Sequence, residues 1–118
     1  MQKAEQGSFK IRNRIWIEGE SGTFLGNGRV SLLEIISKTG SINKAAKELK
    51  MSYRKAWSML ESMNSQSAQP LIIKSAGGDG GGGTIVTDEG LKAIAQFKTL
   101  DNKCREFLNK ELENMEFQ

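Results

Sequence analysis

Apolar and charged residues alternate near the start of the chain, over residues 9–17. This spacing is typical of a half-buried β-strand, and its apolar positions are Phe9, Ile11, Ile15 and Ile17. A turn at Gly19–Gly22 and the short run Thr23–Leu25 complete the pattern, which predicts a β-hairpin over residues 9–26. Because two strands alone are only marginally stable, we expect this hairpin to pack against another element.

Between residues 29 and 64 the apolar spacing changes to steps of three and four, which predicts three short helices. Gly40 is suited to end the first helix in the left-handed conformation, and Ser41 and Ser52 are suited to cap the next two. The apolar sides are Val30, Leu33 and Ile36 in the first helix, Ile42, Ala45, Ala46 and Leu49 in the second, and Ala56, Met59, Leu60 and Met63 in the third.

Two β-type runs and a long helix follow. Residues 71–73 and 84–86 flank a segment with six glycines between Ser75 and Gly83, which predicts a two-stranded ribbon, or wing, over residues 70–86. Thr87 is suited to cap a final helix over residues 88–115.

A helix, a tight turn, a second helix and a ribbon form, in this order, the layout of a winged helix-turn-helix. Ala45, Ala46 and Ala56 are small enough for the two helices to cross closely, and Met51 supplies the apolar residue that the turn buries. We therefore predict an α+β fold: one winged helix-turn-helix domain over residues 1–118, with an N-terminal β-hairpin and a long C-terminal helix. Lys50 is a departure, because glycine is often favoured at this position of the turn.

The charge of the chain adds a candidate function. The 118 residues include 17 basic and 14 acidic ones, for a net charge of +3, which hints at anionic partners. Residues 1–64 carry 11 basic and 6 acidic residues, and residues 44–55 carry five basic residues against one acid, Glu48. The basic excess therefore coincides with the predicted helix pair.

Double-stranded DNA is the partner that this pattern favours. The N-terminal turns of the second helix of such a pair enter the major groove, while nearby lysines reach phosphates. The candidate DNA-binding residues are Lys44, Lys47, Lys50, Ser52, Tyr53, Arg54, Lys55 and Ser58, with Gly80, Gly81 and Gly82 at the tip of the wing. Three alternatives remain open: a solvated basic face, a protein-docking module, and a non-specific architectural DNA binder.

Other classes of function are disfavoured by the composition. The chain has no histidine and one cysteine, so the usual neutral-pH acid–base residue, a disulfide and a multi-thiolate metal site are all missing. We expect no enzyme activity, no cofactor and no metal. The absence of a long apolar run or signal-peptide core predicts a cytoplasmic protein without a membrane span.

Gly78–Gly83 satisfies the spacing of a dinucleotide-binding loop, but a β-type run follows it instead of the required helix. The sequence therefore does not favour a nucleotide site here.

The sequence also predicts the environments of three single residues. Trp57 is expected in the core, the side chain of Arg29 in solvent, and Cys104 in a buried or interface position.

The final helix is longer than one small domain needs to cover itself, so its apolar side predicts self-association. The alternative is that it packs only on its own domain. A two-fold dimer would also set two recognition helices about 34 Å apart, one turn of DNA. The candidate dimerisation residues are Phe97, Leu100, Cys104, Phe107, Leu108 and Leu112.

Several of these segments together resemble the DNA-binding domain of the ModE family of prokaryotic transcriptional regulators. The resemblance covers residues 9–112 and rests on Gly28–Arg29, Leu32–Leu33, Thr39–Ile42, Lys44–Lys47, Met51–Trp57, Met63–Asn64, the glycine-rich segment Gly77–Gly83, Thr87 and Gly90. It implies a relative of the LysR-type DNA-binding domain that forms a homodimer on a nearly palindromic operator.

Members of this family respond to molybdate, which they bind in separate C-terminal domains. Since the sequence ends at Gln118, soon after the long helix, we expect this chain to lack that domain and not to bind molybdate.

Overall fold

The computed structural model describes residues 9–75 and 83–117. The elements follow the predicted order. They are β1 (Trp16–Gly19), β2 (Gly22–Gly26), α1 (Asn27–Thr39), α2 (Ile42–Glu48), α3 (Tyr53–Gln66), β3 (Ile72–Lys74), β4 (Thr84–Val86) and α4 (Asp88–Glu113). The architecture is α+β, with two separate two-stranded antiparallel sheets, and it is that of a winged helix-turn-helix.

The N-terminal strand is much shorter than the prediction of a strand from residue 9. β1 begins at Trp16, because the five residues of β2 can pair only as far as the Trp16–Gly26 contact. Residues 9–15 instead run beside the distal half of α4, where Asn13 Nδ2 lies 3.7 Å from Cys104 Sγ. Their alternation is real, since Ile11 and Ile15 are half-buried while Arg12 and Arg14 are exposed. An alternating pattern here reflects packing on a helix and not pairing with a strand.

The core lies between the helices, and each of α1, α2, α3 and α4 contributes buried residues to it. Leu32, Leu33 and Ile36 of α1 are buried against apolar residues of the other helices. Gly40 ends α1 in the left-handed conformation with φ 70°, and its N–H donates to Ile36 O at 2.7 Å, as predicted.

The ribbon of β3 and β4 is fastened to the helices at both ends. The N–H of Thr84 donates to Gly40 O at 3.0 Å, which ties β4 to the turn between α1 and α2. At the other end, Thr87 N–H donates to Leu71 O at 2.9 Å, and Thr87 Oγ1 caps α4 by accepting from Gly90 N–H at 3.0 Å. These bonds set the position of the wing relative to α1 and to the start of α4.

Within the described residues, no helix combines the length and the apolarity needed to cross a membrane. The same part of the chain holds no group of three or more cysteine, aspartate or glutamate residues arranged to bind a metal ion.

Candidate nucleic-acid interface

The two helices of the candidate interface each begin at a serine cap. Ser41 Oγ accepts from Lys44 N–H at 3.0 Å at the start of α2, and Ser52 Oγ accepts from Lys55 N–H at 3.0 Å at the start of α3. Each bond satisfies one backbone donor that the first helical turn leaves free. The hydroxyl of Ser52 therefore has a structural role, in addition to its exposed position on the predicted DNA-binding surface.

The turn between α2 and α3 is closed by backbone hydrogen bonds around Lys50. The N–H of Met51 donates to Ala46 O at 2.9 Å, and Lys50 itself adopts the left-handed conformation with φ 58°. This is the position at which the sequence departs from glycine, and lysine tolerates it at a conformational cost. Met51 is half-buried against the core, which agrees with its predicted role in the turn.

Three alanines allow α2 and α3 to approach closely. Ala45, Ala46 and Ala56 are almost completely buried, as predicted. Burial of Ala56, Leu60 and Met63 directs one side of α3 inward. The opposite side of α3, which includes Arg54 and Ser58, consequently faces solvent.

The predicted DNA-binding residues of the helix pair are all exposed. Among the ion pairs of the described residues, none involves a basic side chain of this set. Exposed cations without an acidic partner are suited to bind a polyanion. The exposed members are Lys44, Lys47, Lys50, Ser52, Tyr53, Arg54, Lys55 and Ser58. Gly80, Gly81 and Gly82, the predicted wing tip, lie outside the described residues.

Arg29 has a structural role that the prediction of a solvated side chain missed. Its Nη1 donates to Thr23 O at 2.7 Å and to Ser62 Oγ at 3.0 Å, so it joins the hairpin to α3. Burial lowers the pKa of the guanidinium through desolvation. Sequence spacing carries no signal for this contact, because Ser62 lies 33 residues away.

Trp57 is not the core residue that its spacing predicted. The side chain is 39% exposed and lines a cleft between α3 and β3, together with Ile73 and Lys74. Its place on α3 explains the difference, since Ala56 and Leu60 occupy the inward positions and leave Trp57 on the flank toward the wing. Lys74, which the sequence-based set omitted, is exposed beside the same cleft.

The predicted dimerisation residues separate into three groups along α4. Phe97 is 2% exposed and belongs to the core of the protomer, so it is not available for the predicted dimer contact. Cys104, Leu108 and Leu112 are half-buried, and residues 9–15 cover part of this side of the helix at Cys104 and Leu108. Leu100 and Phe107 remain exposed, two helical turns apart on one side of α4.

The helix pair, the ribbon fastened beside it and the exposed basic surface define a winged helix-turn-helix protein. Comparison with protein-family models finds no match. Curated proteins do match. The chain is 38% identical to the molybdenum transport protein ModE of Azotobacter vinelandii over 97 residues, which is 82% of this chain and 36% of that protein.

Two further relatives carry names that refer to transcription. Identity is 40% with the transcriptional regulator ModE of Haemophilus influenzae, over 72% of this chain and 33% of that protein. It is 39% with the DNA-binding transcriptional dual regulator ModE of Escherichia coli K12, over 61% of this chain and 28% of that protein. The chain belongs to the ModE family, and it spans about a third of the length of these relatives.

Proposed function

We propose that the protein is a sequence-specific, double-stranded DNA-binding regulator of transcription that acts as a homodimer. The observation that carries this proposal is the exposed surface of α2 and α3, on which Lys44, Lys47, Lys50, Arg54 and Lys55 are free of ion pairs with other described residues. The two ModE relatives whose names refer to transcription support the same activity.

The contacts on this surface divide into two kinds. Lys44, Lys47 and Lys50 lie on α2 and in the turn, where they would bind backbone phosphates and supply the salt-dependent part of the affinity. Arg54 and Ser58 lie one helical turn apart on the solvent side of α3, where they would contact base edges in the major groove. Arg54 carries the specific part of the proposal, because arginine donates two hydrogen bonds to guanine.

The shape of the protomer supports the homodimer. Its radius of gyration is 18.2 Å, against roughly 13–14 Å expected for a compact chain of this length, and its longest dimension is 63 Å. The exposed side chains of Leu100 and Phe107 would be buried if two copies of α4 packed together. A two-fold pair would present two copies of α3 to a symmetric DNA site.

A protein-docking module or a non-specific architectural protein is the second candidate. The exposed Trp57 and Ile73 beside α3 are the observation in its favour, because apolar side chains suit a protein partner. The five unpaired basic side chains favour DNA, since a docking surface does not require them.

Selection of genomic fragments by the purified full chain at about 150 mM salt tests the proposal. We expect enrichment of one roughly two-fold symmetric sequence, and loss of that enrichment in Arg54→Ala at a cost of about 1–3 kcal/mol. A parallel selection with molybdate tests whether this chain responds to that anion. Uniform retention of all fragments, disappearing as salt rises, would leave only an electrostatic binder and would overturn the proposal.

A further inference from the structure

We infer that the groove between α3 and the wing receives one strand of the DNA, with Lys74 on a backbone phosphate and Trp57 on a thymine methyl group. This inference rests on the proposed function and adds two contact residues to the surface of α2 and α3. We name the groove the α3–wing groove and define it by Tyr53 and Trp57 on α3 and by Ile73 and Lys74 on β3.

The groove consists of two clefts, each of about 390 Å³, that meet at one residue. Tyr53 lines the first cleft with Ser41 and Asn43, near the start of α2. Trp57 lines the second with Ile73. Lys74 lines both clefts, so this residue lies where the two clefts meet.

The side chains of the groove match the components of a DNA strand. Tyr53 and Trp57 follow each other by one helical turn and are 49% and 39% exposed, so an aromatic edge runs along the flank of α3. Because Lys74 shares one cleft with Tyr53 and the other with Trp57, the groove offers a phosphate-binding cation together with apolar surface for the neighbouring nucleotide. Apolar side chains in the major groove recognise the 5-methyl group of thymine.

The charged residues along the groove indicate which part of it faces a phosphate and which part faces a base. Glu61 lies one turn beyond Trp57 and lines the second cleft, whereas the described residues that line the first cleft include Lys74 and Ser41 and no acidic residue. The phosphate is therefore expected in the first cleft, which Tyr53 and Lys74 line together. Trp57 lies between Tyr53 and Glu61 along α3 and is expected to face a base.

The phosphate contact is tested with the full chain and two duplexes of about 30 base pairs, one carrying the selected sequence and one unrelated. Fluorescence anisotropy over about 50–200 mM salt gives the slope of log affinity against log salt. We expect Lys74→Gln to weaken binding to both duplexes by the same factor and to make the slope shallower by about 0.9 for each protomer, or about 1.8 for the homodimer. The matched control is Lys110→Gln, which removes the same charge. Lys110 lies near the far end of α4, roughly 33 Å along the helix from Asp88. Equal slopes for the two variants would overturn the phosphate contact.

The Trp57 contact has two readouts. In a Trp16→Phe background, Trp57 is the one remaining tryptophan, and saturation with the selected duplex is expected to shift or quench its emission. Replacing thymine by uracil at single positions is expected to weaken wild-type binding about fourfold at one position of each half-site, the effect of one methyl group. The same replacement should have no effect on Trp57→Ala.

Three results would count against the Trp57 contact. They are an emission unchanged at saturation, the lack of any uracil-sensitive position, and an emission that follows protein concentration instead of DNA. The last would put a second copy of the chain in the groove. If the wild-type chain selects a sequence and these tests fail, only this inference is wrong. If the wild-type chain selects no sequence, the proposed function itself is wrong.

Discussion

Arg29 Nη1 donates a hydrogen bond of 3.0 Å to Ser62 Oγ, and this bond joins α1 to the C-terminal half of α3. The same nitrogen donates to the carbonyl oxygen of Thr23 in the hairpin. One half-buried guanidinium thus connects the hairpin, α1 and the helix that carries the candidate base contacts. The hairpin, which would be marginal alone, is stabilised by this connection.

Removal of the Arg29 side chain is expected to destabilise the fold. Arg29→Ala should lower the free energy of unfolding by about 2–3 kcal/mol, because the carbonyl of Thr23 and the hydroxyl of Ser62 lose a charged donor. Ser62→Ala, which removes one acceptor, should cost about 1 kcal/mol. Urea unfolding measures both. Arg14→Ala, at an exposed position, is the control and should change stability by less than about 0.5 kcal/mol. An Arg29→Ala protein as stable as this control would contradict the structural role.

Lys50 is expected to show opposite effects on stability and on DNA binding. Because its φ is 58°, Lys50→Gly should relieve the left-handed strain and raise the free energy of unfolding by about 1 kcal/mol. Lys50→Ala removes the charge without relieving the backbone and should not be stabilised. Both variants should bind DNA more weakly, with equal losses, if the ammonium group contacts a phosphate. Unequal losses in anisotropy titrations would show that the backbone of the turn, and not the charge, limits binding.

Gly90 is expected to be intolerant of any side chain. A Cβ atom at this position would overlap the carbonyl oxygen of Leu71 and come within 2.6 Å of Val86 Cγ1. Gly90→Ala should therefore separate α4 from the wing and cost about 1–3 kcal/mol. Gly28→Ala is the matched control, since open space surrounds that helical position. It should instead stabilise the protein by about 0.5–1 kcal/mol. Thermal unfolding of the two variants in opposite directions confirms the prediction, and a shift of the same sign contradicts it.

Phe107 is expected to contribute to the dimer. The side chain is 62% exposed in the protomer, so Phe107→Ser should weaken self-association with little effect on the unfolding of the protomer. Sedimentation equilibrium over a range of concentrations measures the change. Asn102→Ser, an exposed position on another side of α4, should associate like the wild type. A Phe107→Ser protein with unchanged association would place the dimer contact elsewhere.

The sequence predicted best where local chemistry decides the structure. The caps Ser41 and Ser52, the left-handed Gly40 and the buried alanines all follow from backbone geometry within a few residues. Apolar spacing located every helix. Such features depend on neighbours along the chain, and the sequence states those neighbours directly.

The predictions for residues 9–15 and for Phe97 were wrong for one shared reason. Alternation in residues 9–15 is the same whether the segment pairs with a strand or packs on a helix, and the shortness of β2 selected the helix α4. Phe97 and Phe107 belong to one apolar series in the sequence, but only Phe97 faces the core. A periodic pattern shows which side of an element is apolar, and it does not show which partner covers that side.

The sequence by itself therefore determined the order of elements, their caps, the close crossing of α2 and α3 and the basic character of the surface that they expose. The tertiary structure alone decided that Arg29 joins three elements, that Trp57 faces the wing with Lys74, and that Leu100 and Phe107 remain uncovered. The physical reason is distance along the chain. Capping and helical spacing act over a few residues, whereas these contacts join segments whose approach depends on how the whole core packs.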